Sequence, residues 1–533
     1  MKYTIKAFAS LLLLGSMSCT ANYLEINSNP YQPGDLIADD YALGSAMNSL
    51  AGCVISPDEN TTQFTDCLLG GTQGGYFADA NGKWDKTISN YNPTDDWSRV
   101  FLKTDKIIPI LYSNLAVVKR ISEQNNDPVP YAIAEVIKVA SMHRVADTFG
   151  PIPYSKIGED GKIATPYDSL EEVYNKFFEE LNESIKVLTD HQNAALLPSS
   201  DYIYGGKVKN WVKLANSLKL RLALRIAYAN PAKAQQMAEE AVNHEIGVIT
   251  SNAENALWKY FGTIVNPINI AVNYNTAKHE DGSVCPTGGD SHAAADIIAY
   301  MNSYNDPRRA AYFSNSEWDN TDFCGLRRGI AIPDLSSMGH KYSGIKVGAH
   351  DPLMWMNAAE VAFLRAEGIA VFNFNLGGSA QDFYNEGIRL SFEQWGAGES
   401  AEYAASTEET PVTYTDPAGN ENYMTPLSKL PVQWNEGATI EEKQERIIIQ
   451  KWIANYPLGC EAWADYRRTG YPHLIPASLN KSLGEVDSER GARRMRYPRD
   501  EYVSNTDNVN HAVSNYLNGP DLMSTDLWWA CKK

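Results

Sequence analysis

Apolar residues recur at helical spacing in two long blocks of this chain, and the stretch between the blocks has almost no sustained period. In the first block the spacing predicts a helix over about 95–124, capped by Thr94 or Asp95, with Trp97, Phe101, Ile108, Leu111 and Leu115 on one side. Further helices are expected at about 128–148, 168–189 and 207–229, and Pro231 opens a fifth. The second block predicts helices over 358–372, 381–395 and 439–456. Helices of these lengths, joined by short polar or Gly/Pro connections, bury their apolar stripes by stacking as antiparallel pairs. The fold class expected is therefore mostly α. A strict repeat of roughly 34 residues is absent, so the period alone does not establish tetratricopeptide repeats. Trp97 and Trp211 fall on helical faces and are expected in the core.

Residues 250–352 are rich in Asn, Gly, Tyr, Ser, Asp and Pro, with one short helix expected near 292–303. They read as a loop-rich lobe inserted into a helical scaffold spanning about 95–249 and 353–475. Segments 60–94 and 397–437 are expected to contribute to the lobe. The second of these, carrying Glu399, Glu402, Glu408 and Glu409 amid small residues, reads as a solvated excursion with no chemistry assigned. The string Gly70-Gly71-Thr72-Gln73-Gly74-Gly75 lacks the lysine of a phosphate loop and is expected to be a flexible turn.

At the N-terminus, Lys2 and Lys6 precede an apolar run from Phe8 to Met17. A spanning helix needs about 20 apolar residues, and Ser18, Cys19, Thr20 and Asn22 interrupt this run too early, which is the pattern of a signal peptide over residues 1–18. Small Ser16 and Ser18 flank the cleavage site, although Ser16 stands where a lipidation signal usually has leucine. Cys19 is then the expected lipidation site and first mature residue, anchoring one domain of residues 19–533 to a membrane by acyl chains. The formal net charge of -19, with no basic stripe, excludes nucleic acid as a partner. Six cysteines remain after Cys19, none with C-x-x-C spacing. In an oxidising compartment the pair most expected to bridge is Cys53 with Cys67.

Motifs of catalysis are missing: there is no H-E-x-x-H, G-x-S-x-G, phosphate-binding loop or dinucleotide fingerprint. Nine scattered histidines lack metal-ligand spacing, and His279-Glu280-Asp281 reads as an incidental loop cluster. Asp319 and Asp322 could support a structural calcium, and no other cofactor is expected. The lobe composition fits sugar instead. Glycans present C–H faces ringed by hydroxyls, so their receptors combine aromatic platforms with planar hydrogen-bonding groups. The platforms expected are Trp84, Trp258, Tyr260, Tyr274 and Trp318, with Asp319 and Asn320 as polar partners.

Several strings carry a family resemblance. Tyr23 to Pro30 (YLEINSNP) resembles an INTNPN-type opening, and Asp147 to Tyr154 (DTFGPIPY) a D-x-x-G-x-[IV]-P-Y turn. Asn216 to Leu222 (NSLKLRL), Asn305 to Arg308 (NDPR) and Ala359 to Glu367 (AEVAFLRAE) follow. Near the C-terminus come Gln450 to Ala454, Glu461-Ala462-Trp463, Arg467 to Pro472, Arg494, Tyr497-Pro498 and Trp528-Trp529. In this order they resemble the SusD/RagB family across nearly the whole mature chain. The resemblance implies a helix-pair array resembling tetratricopeptide repeats, with its opposite loops binding ligand, in a non-enzymatic lipoprotein of the outer-membrane surface. It also implies a SusC-type TonB-dependent transporter as partner, to which a captured glycan is delivered. An oligopeptide in the same role is the alternative, since RagB-type relatives take peptides. A surface glycoside hydrolase, needing two carboxylates about 5 to 10 Å apart, is the remote one. The strings themselves read as scaffold: Trp452, Ile453 and Trp463 as core, with Glu461 expected to pair with Arg467 or Arg468.

Overall fold

Side-chain caps fix where five of the main helices begin. The computed structural model describes residues 38–80, 86–98, 107–158, 164–196, 198–259, 264–276, 278–279, 281–319, 321–330, 341–419 and 421–532. Cys19, Trp84, Tyr260 and Asn320 lie outside the described residues. A short N-terminal unit ends at Leu43, and the compact unit from Gly44 to Lys533 contains every element named below. Its scaffold comprises α1 (Ile107–Asn125), α2 (Val129–Phe149), α3 (Leu170–Asp190), α4 (Val208–Arg225) and α5 (Pro231–Val242). After the lobe, which carries α6 (Ala295–Ser303), come α7 (Ala358–Phe372), α8 (Ala380–Trp395), α9 (Ile440–Ala454) and α10 (Gly459–Thr469). Ser169 and Glu172 form a reciprocal capping box at the start of α3, and Thr439 and Glu442 do the same for α9. Asn357 and Ser379 each accept a backbone N–H at the first turns of α7 and α8. The first helix is observed from Ile107; residues 99–106 of the expected span lie outside the described residues.

Successive helices pack on one another from α1 through α5; α4 also meets α7, which packs on both α8 and α9. The fold is thus the mostly helical array that the periodicity implied. Trp97 and Trp211 are buried, as are Trp452, Ile453 and Trp463. Two short antiparallel ladders brace this region, one joining the 60–94 segment to the lobe and the other joining the lobe to the strand before α7. β1 (Phe77–Asp79) pairs with β3 (Ser291–Ala293), which leads into α6, and β2 (Ala256–Trp258) pairs with β4 (Leu353–Met356), which leads into α7.

The Gly-rich string is not a flexible turn. Gly70 and Gly71 end a π-helical segment, Gln63–Gly71, that packs against α10, and all of Gly70–Gly75 is buried. A Cβ on Gly70 would meet the Cys460 backbone nitrogen at 2.7 Å, and one on Gly459 would meet the Gly70 carbonyl carbon at 2.3 Å. The glycines permit two backbones to approach, a role that depends on a partner nearly 400 residues away.

Buried charge ties the recognisable strings together. Glu461 pairs with Arg225 at 2.5 Å and lies 3.0 Å from His143 Nε2, while Arg221 stands 3.6 Å away. The expected pairing with Arg467 or Arg468 is therefore replaced. Arg468 instead forks onto Glu367 at 2.7 and 2.9 Å, and Arg467 donates to the backbone oxygens of Asp147 and Arg493. Arg221 forks onto Glu360, and Arg225 reaches Asp147 at 2.9 Å. Arg308, buried between the Phe392 and Tyr403 rings, pairs with Asp306 and meets Gln450. Burial alone would raise the Glu461 carboxyl, but Arg221, Arg225 and the His143 hydrogen bond hold it well below the usual carboxylate range. Cys53 and Cys67 are buried free thiols, not a disulfide.

Candidate functional site

Trp318 lies half-buried on a loop that folds back on itself: Ser316 N–H donates to the Asp322 carbonyl at 2.7 Å, and Glu317 N–H to the Lys341 carbonyl at 2.8 Å. The edge of its indole meets Tyr342 at 5.7 Å, and the Lys341 ammonium stands 4.8 Å from the ring centre. Tyr342 is itself fixed by donating to Asp416 at 2.8 Å. Trp318 Nε1 finds no acceptor among the described residues.

From this indole runs a groove of about 480 Å³. One wall is the last turns of α6, through Ile298, Ala299, Asn302 and Ser303, followed by the returning strand of the Trp318 loop, Thr321 to Gly325. The other comes from a hairpin in the 397–437 excursion, where Tyr414 pairs with Tyr423 and presents Thr413, Thr415 and Pro417. Tyr414 anchors that hairpin by donating to the Gly325 carbonyl at 2.8 Å. Asn302 is oriented by its bond to the Phe323 carbonyl at 3.1 Å. The surface so made mixes an indole with hydroxyls and an amide, and Asp319 is the one carboxylate among its described lining residues.

Of the sequence-derived candidates the groove is lined by Trp318 and its chain neighbour, exposed Asp319, and the structure brings no others to them among the described residues. Tyr274 is 55% exposed at the end of the helix Pro267–Asn273 and does not line the groove. Trp258 is corrected: it stands in β2, not in a loop, and at 4% exposure its ring is part of the core, because the strand pairs with β4 against the array. The 397–437 segment, read as carrying no chemistry, supplies a wall. Asn302, Ser303 and Phe323 carried no sequence signal at all.

Two other cavities lie away from the groove. One of about 30 Å³ lies beside His143, Arg144, Arg221 and Glu461, within the buried ion network. A second, of about 310 Å³, is lined chiefly by apolar groups including Leu257, Met354, Trp395 and Tyr456. Asp319 and Asp322, both exposed, gather no third ligating side chain among the described residues. No helix among those residues is long and apolar enough to cross a membrane.

Comparison with known proteins gives a consistent picture. The family described as SusD-like, Susd and RagB outer membrane lipoprotein, matches residues 25–530. A SusD homologue from Bacteroides uniformis is 62% identical, with 92% of this chain and 100% of that one aligned at a TM-score of 0.89. A SusD homologue from Bacteroides thetaiotaomicron is 38% identical over 92% of this chain and 99% of its own, with a TM-score of 0.82. A chitin-binding SusD homologue from Flavobacterium johnsoniae is 35% identical over 92% and 99%, with a TM-score of 0.82. None of the curated proteins matches the chain.

Proposed function

The chain belongs to the SusD/RagB family of outer-membrane lipoproteins, and from that premise we propose that it captures an oligo- or polysaccharide at the cell surface and delivers it to a SusC-type TonB-dependent transporter. The observation that carries the ligand class is the Trp318 groove. Its indole offers a platform for the C–H face of a sugar ring, while Ser303, Thr321, Thr413, Thr415, Asn302 and Asp319 supply donors and acceptors at the rim. The groove is held by hydrogen bonds before any ligand arrives, which lowers the ordering cost of binding. A single described carboxylate favours binding without cleavage, because glycoside hydrolysis needs a second one across the bond. The chitin-binding relative supports a glycan over a peptide.

The test is a binding screen of residues 20–533 against polysaccharides and oligopeptides, with product analysis in the same tubes. Retention by one glycan without new reducing ends is expected. New reducing ends would make the protein an enzyme, and retention by peptides alone would replace the ligand class.

A further inference from the structure

One residue before Trp318, Glu317 places Oε1 3.3 Å from Nε2 of His279. Cys285 Sγ joins them, and the three ligand atoms all lie within 4.8 Å of one another. The donors come from two separately braced loops. His279 and Cys285 belong to a hairpin in which Lys278 pairs with Val284, and the His279 N–H donates to the Ser283 carbonyl at 2.9 Å. Asp281 closes that turn by accepting from Ser283 N–H at 2.9 Å and from its hydroxyl at 2.6 Å. Glu317 is set by its own backbone bond to Lys341. Cys285 is buried and its thiol makes no hydrogen bond among the described residues, whereas the side chains of His279 and Glu317 are 35% and 21% exposed, which leaves an entry path.

A thiolate, an imidazole and a carboxylate are the donor set of a borderline divalent ion such as Zn²⁺; calcium and magnesium take oxygen ligands. Tetrahedral zinc, with bonds of about 2.0–2.3 Å, needs donors roughly 3.3–3.8 Å apart, so closing the present spread takes about an ångström at most. We propose that His279, Cys285 and Glu317 bind one zinc-class divalent cation, its fourth position open to water or ligand, and that the ion pins the 278–285 hairpin to the loop bearing Trp318. On binding, the Cys285 thiol forms the sulfur–metal bond and releases its proton to solvent, with no change of oxidation state.

Cobalt(II), added to chelator-treated residues 20–533, is the probe. One equivalent should produce a thiolate-to-metal charge-transfer band in the near ultraviolet with visible bands of tetrahedral cobalt, and zinc should bleach both. Cys285→Ser should remove the charge-transfer band, and His279→Ala or Glu317→Gln should weaken binding by about tenfold or more with circular dichroism unchanged. Absence of the band at stoichiometric cobalt, or its survival in Cys285→Ser, overturns the assignment. The readout does not involve glycan, so its failure leaves the groove reading standing.

Discussion

In the helical array, four buried carboxylates are paired by buried basic side chains: Glu461 with Arg225 and His143, Glu360 with Arg221, Glu367 with Arg468 and Asp306 with Arg308. In the lobe around Trp318, hydroxyls, an amide and a carboxylate line an open groove, and the indole N–H has no acceptor among the described residues. The array pairs these buried carboxylates internally, which commits it to one packing. The hydroxyls, the amide and the carboxylate of the lobe instead face the groove. Removing a group should accordingly unfold the first region and silence the second.

The largest effect should come from Glu461→Gln, which removes the buried carboxylate shared by Arg225, Arg221 and His143 and leaves the two arginines with Asp147 and Glu360 alone. A loss of about 3–5 kcal/mol is expected by chemical denaturation. The same carboxylate has a pH signature. Because its folded value is depressed, its contribution is fully present above the ordinary value of about 4.3 and is lost as pH falls through the folded value. Wild-type stability should decline below about pH 4, and Glu461→Gln should flatten that slope; an unchanged slope would remove Glu461 from the account. Next, Gly459→Ala should cost about 1–3 kcal/mol, since the added methyl meets Gly70 backbone and not a flexible side chain. A thermal midpoint equal to wild type would show that the two backbones separate more easily than this geometry implies.

Smaller effects on stability belong to the lobe. Trp318→Ala should leave the denaturation midpoint within about 1 kcal/mol of wild type while weakening glycan retention about tenfold or more. The reverse pattern, an unfolded variant or an unaltered affinity, would make Trp318 a packing residue. Tyr274→Ala should reduce retention less than Trp318→Ala does, because Tyr274 stands outside the groove lining. A larger loss would move the site toward the Pro267–Asn273 helix.

Helix positions were legible because their determinants are local. Ser169 with Glu172 and Thr439 with Glu442 mark two starts within four residues of sequence, and α7 occupies the span its apolar period indicated. Trp258 misled because a three-residue strand has no detectable period, and its burial is set by β4, roughly a hundred residues on. The hairpin wall around Tyr414 was equally hidden: alternation over so few residues does not rise above loop composition.

By itself, then, the sequence determined the mostly helical class, the approximate spans of most main helices and the family strings, which follow from residue patterns within a few turns of chain. Only the tertiary structure decided which arginine each buried carboxylate meets, why Gly70 must lack a side chain, which aromatic residue stays open to solvent and which donors gather around His279. Those outcomes depend on contacts between residues tens to hundreds of positions apart. Charge and residue type announce the need for a partner, but only the packed chain supplies its address.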